Sequence, residues 1–101
     1  MKSIAFDNEL DVSSGLFAVK FTASWCGPCK TQQPNIDKME AEFPTVKFFE
    51  VDTDQFPQLT RNYGIKSLPT LALIKDGKII KSIVGITLIA GLRTAFIEFT
   101  K

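Results

Sequence analysis

The apolar run at residues 16–23 (LFAVKFTA) stops at Trp25-Cys26-Gly27-Pro28-Cys29-Lys30, and a helix-spaced stretch follows at once. This junction constrains the chain more than any other feature. The run is apolar apart from Lys20 and Thr22, as in a central strand covered on both faces. Ile36, Met39, Glu40 and Phe43 then recur at helical spacing, which predicts a helix over residues 26–43, bent at Pro34. The only two cysteines of the chain thus stand at a strand-to-helix switch with two residues between them.

The remaining pattern completes an alternation. Residues 3–6 form a short strand, followed by a polar, helical piece around 8–14. A second buried strand spans 45–51 and a short helix 54–62. Strands at 70–75 and 78–84 flank Asp76-Gly77, a two-residue hairpin signal of the I′ kind. A closing amphipathic helix covers 87–99, with Thr87 as its N-cap and Leu88, Leu92, Phe96 and Phe99 at core spacing. The order β-α-β-α-β-α-β-β-α implies early parallel crossovers and a late antiparallel hairpin, hence a mixed α/β sheet with helices on both faces.

Length and composition exclude several classes. The 101 residues, 45% of them hydrophobic and nine of them Phe, suit one domain over 1–101 with a single core. Net charge is +1 with 12 basic and 11 acidic residues dispersed, so neither nucleic acid nor an anionic membrane is an expected partner. The opening MKSIAFDNEL does not read as a secretory signal. No segment reaches the ~20 apolar residues of a membrane span. A cytoplasmic setting is expected, where a lone disulfide is transient more often than structural. With no histidine, a His-based triad or His-containing zinc site is excluded. Two cysteines cannot fill a four-thiolate metal site within one chain, although two chains sharing one remains open.

Two thiols at this spacing can close a small disulfide or open to a dithiol. A helix N-terminus favours the thiolate through its unpaired N–H groups and dipole. Cys26, at the helix start, is expected to be exposed, with a pKa lowered into the range of about 3.5–7.5. It would attack a substrate disulfide; Cys29, one turn deeper, would attack the resulting mixed disulfide. Gly27 and Pro28 shape the turn, and Pro28 removes an N–H that needs no partner there. Ordinary buried cysteines are the bland alternative, and the βαβ context with the CxxC spacing favours redox chemistry.

These segments resemble the thioredoxin family over nearly the whole chain: FTASWCGPCK at 21–30, Pro34, VDTD at 51–54, YGIKSLPT at 63–70, KDGK at 75–78 and VG at 84–85. The resemblance implies a thioredoxin fold, a five-stranded mixed sheet covered by four helices. It also implies protein-disulfide reduction with no bound cofactor beyond the Cys26–Cys29 pair itself, fed by a flavin- and NADPH-dependent thioredoxin reductase. Cys26 then matches the nucleophile and Cys29 the resolving thiol. Pro69 matches the proline that follows a cis peptide bond beside the disulfide. Trp25, Gly27, Pro28, Leu68, Gly85 and Ile86 match the apolar rim where protein partners dock. A monomer is expected.

Lys20 departs from the pattern, because the family usually carries there a buried Asp that assists proton transfer at the second cysteine. A Lys on the neighbouring strand often faces that acid, and the matching position here is Phe48. Three states of Lys20 stay open. It can be neutral and take the Cys29 proton, be charged and stabilise thiolates, or snorkel to water. Glu50 is an available counter-charge. Thr31, Gln32 and Gln33 read as a solvated face of the motif helix.

Two other functions fit the residues. A charged Lys20 would stabilise the dithiol and favour an oxidase or isomerase role. An accessory subunit would use the apolar rim without redox turnover.

Overall fold

The computed structural model describes residues 1–5 and 10–101. In chain order the elements are β1 (Lys2–Ser3), β2 (Leu16–Thr22), α1 (Gly27–Glu42), β3 (Lys47–Asp52), α2 (Pro57–Asn62), β4 (Thr70–Lys75), β5 (Lys78–Val84) and α3 (Ile89–Phe99). They build one five-stranded sheet in the order β1-β3-β2-β4-β5. β3 runs parallel to β1 and β2, while β4 is antiparallel to β2 and β5. The mixed sheet is the expected thioredoxin fold.

β2 lies at the centre and divides its side chains between two cores. Phe17, Val19 and Phe21 face one side with Val51, Ala72, Ile74 and Phe56, the last just before α2. Ala18 faces the other, with Ile36 and Met39 of α1 and Leu92, Phe96 and Phe99 of α3. Phe96 anchors this second core; its ring lies 5.6 Å from that of Phe48 with the planes 3° apart. Period-two alternation along β2 therefore assigns Lys20 to the α1/α3 side. The β4–β5 hairpin closes as expected, with φ of 49° at Asp76 and 84° at Gly77. Both central positions of a I′ turn require that sign.

Several boundaries and roles differ from the sequence reading. Three helices occur among the described residues instead of four. Of the expected helical piece at 8–14, Asn8 and Glu9 lie outside the described residues, and residues 10–14 carry no helix. Asp11 instead accepts the Ser13 backbone N–H at 3.0 Å, a local turn that competes with helix formation. Of the expected first strand only Ser3, with Lys2 before it, is strand; Ile4 and Ala5 follow it, and Phe6 lies outside the described residues. α2 starts at Pro57, not residue 54, because the Asp52 carboxylate holds the Asp54 and Gln55 N–H groups in a turn.

Thr87 is not the N-cap of the last helix. Leu88 occupies that position without a side-chain cap, and it is 79% exposed rather than part of the core. Thr87 gives its N–H to Gln32 Oε1 at 3.1 Å and accepts Asn35 Nδ2 at 3.2 Å, so helix α1 takes up its backbone groups. Gln32 is accordingly buried, against the expectation of a solvated face.

Candidate active site

The switch from β2 to α1 sets the two cysteines. Ala23 ends the strand side by accepting the Cys26 N–H at 3.1 Å. Cys26 is the N-cap of α1, with extended backbone (φ −87°, ψ 102°), and its Sγ accepts the Cys29 N–H at 3.2 Å. A sulfur thus takes the capping place usually held by an oxygen. Pro28 falls in the first turn, where its missing N–H costs nothing. Cys26 and Cys29 are joined as a disulfide with Cα atoms 5.3 Å apart.

Cys26 is not exposed in this state. It is 3% accessible and Cys29 1%, packed with Ala23 and beneath Leu68. Its sulfur turns inward to bond Cys29 and cap the helix, so that the surface of the motif is made by its neighbours. Gly27 and Pro28 are exposed, and Trp25 is 70% exposed with its Nε1–H donated to Asp54 Oδ2 at 2.8 Å.

The second wall comes from the loop before β4. The Leu68–Pro69 peptide is cis. Pro69 is buried, and its carbonyl accepts the Gly85 N–H at 2.8 Å. Gly85 has φ of 81°, a conformation that a side chain would strain. Ile86 beyond it is exposed, while Leu68 and Gly85 are half-buried. Leu68 is thus brought against the disulfide, and Gly85 against Pro69.

Lys20 lies under this surface at 2% exposure, so it does not snorkel to water. Its Nζ donates to the Cys29 carbonyl at 3.0 Å and to Gln33 Oε1, and sits 3.8 Å from Glu50 Oε1. Burial lowers its pKa, and the charges of Glu50 and Asp37 oppose that shift. The strand register pairs Lys20 with Glu50, whereas Phe48 pairs with Ala18. The residue that faces position 20 is therefore Glu50, not Phe48: parallel register cannot be read from either strand alone. An open pocket of about 490 Å³ beside the motif is lined by Lys20, Gln33, Asp37 and Glu50.

Sequence reasoning missed Gln32, Gln33, Asp37 and Asp54. The first had a signal. Positions 29, 32, 36 and 39 follow a three–four spacing along one helix face, and all four are buried. Gln33 and Asp37 stand four apart on α1, a legible i, i+4 pair, whereas the contact of Asp54 with Trp25 carried no such sign.

Comparison with known proteins agrees with this geometry. The family model described as Thioredoxin matches residues 1–98. A thioredoxin of Chlamydia muridarum is 42% identical over 84 residues, 82% of each chain. Thioredoxin H2 of Arabidopsis thaliana is 40% identical over 77% of this chain and 59% of its own length. The crystal structure of Malassezia sympodialis thioredoxin superposes with a TM-score of 0.86 at 30% identity, covering 99% of this chain and 90% of that one. A CxxC disulfide capping the helix after a central strand, seen in a chain with these relatives, leads to one conclusion: the chain belongs to the thioredoxin family and is a thiol–disulfide oxidoreductase.

Proposed function

We propose that the chain reduces disulfide bonds of other proteins by dithiol exchange and is itself reduced by a thioredoxin reductase that draws on NADPH through a flavin. The observation that carries this reading is the Cys26 sulfur at the N-cap of α1, bonded to the Cys29 N–H at 3.2 Å. Unpaired N–H groups and the helix dipole favour negative charge on that sulfur. Once reduced, Cys26 attacks a substrate sulfur, and a mixed disulfide forms as a substrate thiolate departs. Cys29 then attacks Cys26, the disulfide re-forms, and the second substrate sulfur leaves.

Trp25, Gly27, Pro28, Leu68, Pro69, Gly85 and Ile86 form the docking rim in this reading. Exposed apolar area on Trp25 and Ile86 supports it, since such area gains from being covered by a partner. The reaction needs no cofactor beyond the dithiol. The chain is read as a monomer acting in the cytoplasm on proteins, and its balanced, dispersed charge offers no face for nucleic acid or an anionic membrane. Among the described residues, no helix is long and apolar enough to cross a membrane.

The test couples the protein to NADPH, a thioredoxin reductase and insulin disulfides, and adds an equilibrium potential. NADPH-driven insulin reduction with a potential near the ~−270 mV of thioredoxin is expected. No reduction, with a potential of about −180 to −120 mV, would assign an oxidising role instead. Binding of partners that survives replacement of both cysteines by Ser, with no reduction in the wild type, would assign an accessory subunit.

A further inference from the structure

The exchange chemistry leaves unassigned the cation beneath it. Lys20 Nζ faces the Cys29 carbonyl at 3.0 Å, Gln33 Oε1, and Glu50 Oε1 at 3.8 Å. The first two accept hydrogens from Nζ, and the Glu50 carboxylate lies at ion-pair distance without a hydrogen bond to it. Their orientation is fixed from behind. Asp37 Oδ1 takes the Gln33 Nε2 hydrogen at 2.7 Å, which turns the amide oxygen towards Lys20. Ser3 Oγ donates to the other Glu50 oxygen at 2.9 Å. Two hydrogen bonds from Nζ to oxygens and the carboxylate beside it favour the charged form over the neutral amine. Lys20 is therefore built in as a cation, and as such it is no base for the Cys29 proton.

We propose that Lys20 is a positioning residue whose ammonium, fixed beneath Cys29 by Gln33 and Glu50, holds the resolving sulfur as a thiolate. This rests on the exchange reading above, and the shift that the cation gives the couple stays within that reductase reading. The Cys29 proton is lost to water. In the resolving step the Cys29 thiolate attacks Cys26 Sγ. The Cys26–Cys29 bond forms as the Cys26–substrate bond breaks, and the electron pair departs on the substrate sulfur. That sulfur takes its proton from water, so the electrons of the dithiol end on the substrate and the protons exchange through water.

The neighbouring charges decide the sign. Glu50 and Asp52 of β3 and Lys30 and Asp37 of α1 line the pocket, together with the Met1 amine, which Glu40 neutralises at 2.6 Å. Of these charges and Lys20, only Lys20 has a described hydrogen bond to Cys29, at its backbone carbonyl. The Glu50 side chain is 29% exposed, so water screens it more than the buried Lys20, at 3%. The drier charge, bonded to the Cys29 backbone, dominates there.

The experiment titrates the thiol of Cys29 by its ultraviolet thiolate absorbance in a Cys26→Ser background, where it is the sole thiol. Lys20→Met should raise that pKa by about one unit or more, the usual size for loss of a close opposite charge. Glu50→Gln, at a partly exposed site that tolerates the change, should lower it. With both cysteines present, Lys20→Met should make the couple more reducing, by about 30 mV for each tenfold change in equilibrium constant. A Cys29 titration unmoved by Glu50→Gln, or moved upwards, overturns the proposal even if Lys20→Met fails to fold. So does an unmoved titration in a folded Lys20→Met. The titration uses no substrate, so its failure leaves the reductase reading intact, and failed insulin reduction by the wild type leaves the titration interpretable.

Discussion

Gln32 accepts the Thr87 backbone N–H at 3.1 Å across the gap between α1 and the segment that leads into α3. Gln32 is three residues past Cys29 on the same buried face, and Thr87 follows Ile86 of the proposed rim. One side chain thus ties the redox helix to the loop beside the docking surface. The bond also explains how an amide is tolerated at 2% exposure, because a buried polar group is costly only without a partner.

Replacing Gln32 by Leu keeps the volume and strands the Thr87 N–H. The expected loss is about 1–3 kcal/mol, the cost of an unsatisfied buried donor. Urea unfolding of wild type and Gln32→Leu measures it. A change below about 0.5 kcal/mol, the ordinary scatter of surface substitutions, would show that the bond contributes little.

Phe96 joins β3 to α3 through its stack on Phe48, and it is fully buried. Phe96→Ala should cost about 3–5 kcal/mol from lost transfer energy and a residual cavity. Against a total stability of about 5–15 kcal/mol, such a loss leaves a marginal fold. The midpoint of urea unfolding should fall sharply while the slope stays constant.

Ile86 is 53% exposed, so Ile86→Asp should leave stability within about 0.5 kcal/mol of wild type. If the rim docks protein substrates, KM for insulin should rise in this variant. Reduction of a small aromatic disulfide, which needs no such surface, should stay unchanged. Equal losses on both substrates would show damage to the dithiol itself.

Burial lowers the pKa of Lys20 below the ordinary 10.5, with Glu50 and Asp37 opposing. The folded chain therefore releases this proton at a lower pH than the unfolded chain does. Between those two values the unfolded state holds more protons, so stability rises with pH across that alkaline window. Below the window the cost of the buried charge is present in full. Unfolding free energies of wild type minus Lys20→Met, measured from neutral to alkaline pH, should become more favourable to wild type as pH rises. A difference that is flat or falls would contradict the assignment.

Local patterns carried much of this architecture. The bounds of the β4–β5 hairpin were legible to the residue, because Asp76-Gly77 selects one turn type, but the turn fixes the register only to Ile74, where a bulge shifts the pairing. Residues 16–23 announced a central strand, and the CxxC marked the start of α1 to within one residue. Contacts between distant segments were not legible. Polarity alone made Gln32 look solvated, since its partner is a backbone N–H 55 positions away. Thr87 resembled an N-cap for the same reason, its backbone groups being spoken for by α1. The Lys20–Glu50 pairing depends on how two parallel strands slide past each other, which neither strand states.

The central claim is that Cys26 attacks and Cys29 resolves. It is tested most directly by incubating reduced Cys29→Ser and reduced Cys26→Ser with a protein disulfide and detecting the covalent adduct by mass. The account predicts that Cys29→Ser accumulates a mixed disulfide through Cys26, while Cys26→Ser, whose remaining thiol is shielded beneath the site, forms little. An adduct that accumulates on Cys29 in the Cys26→Ser protein, and not on Cys26, would contradict it.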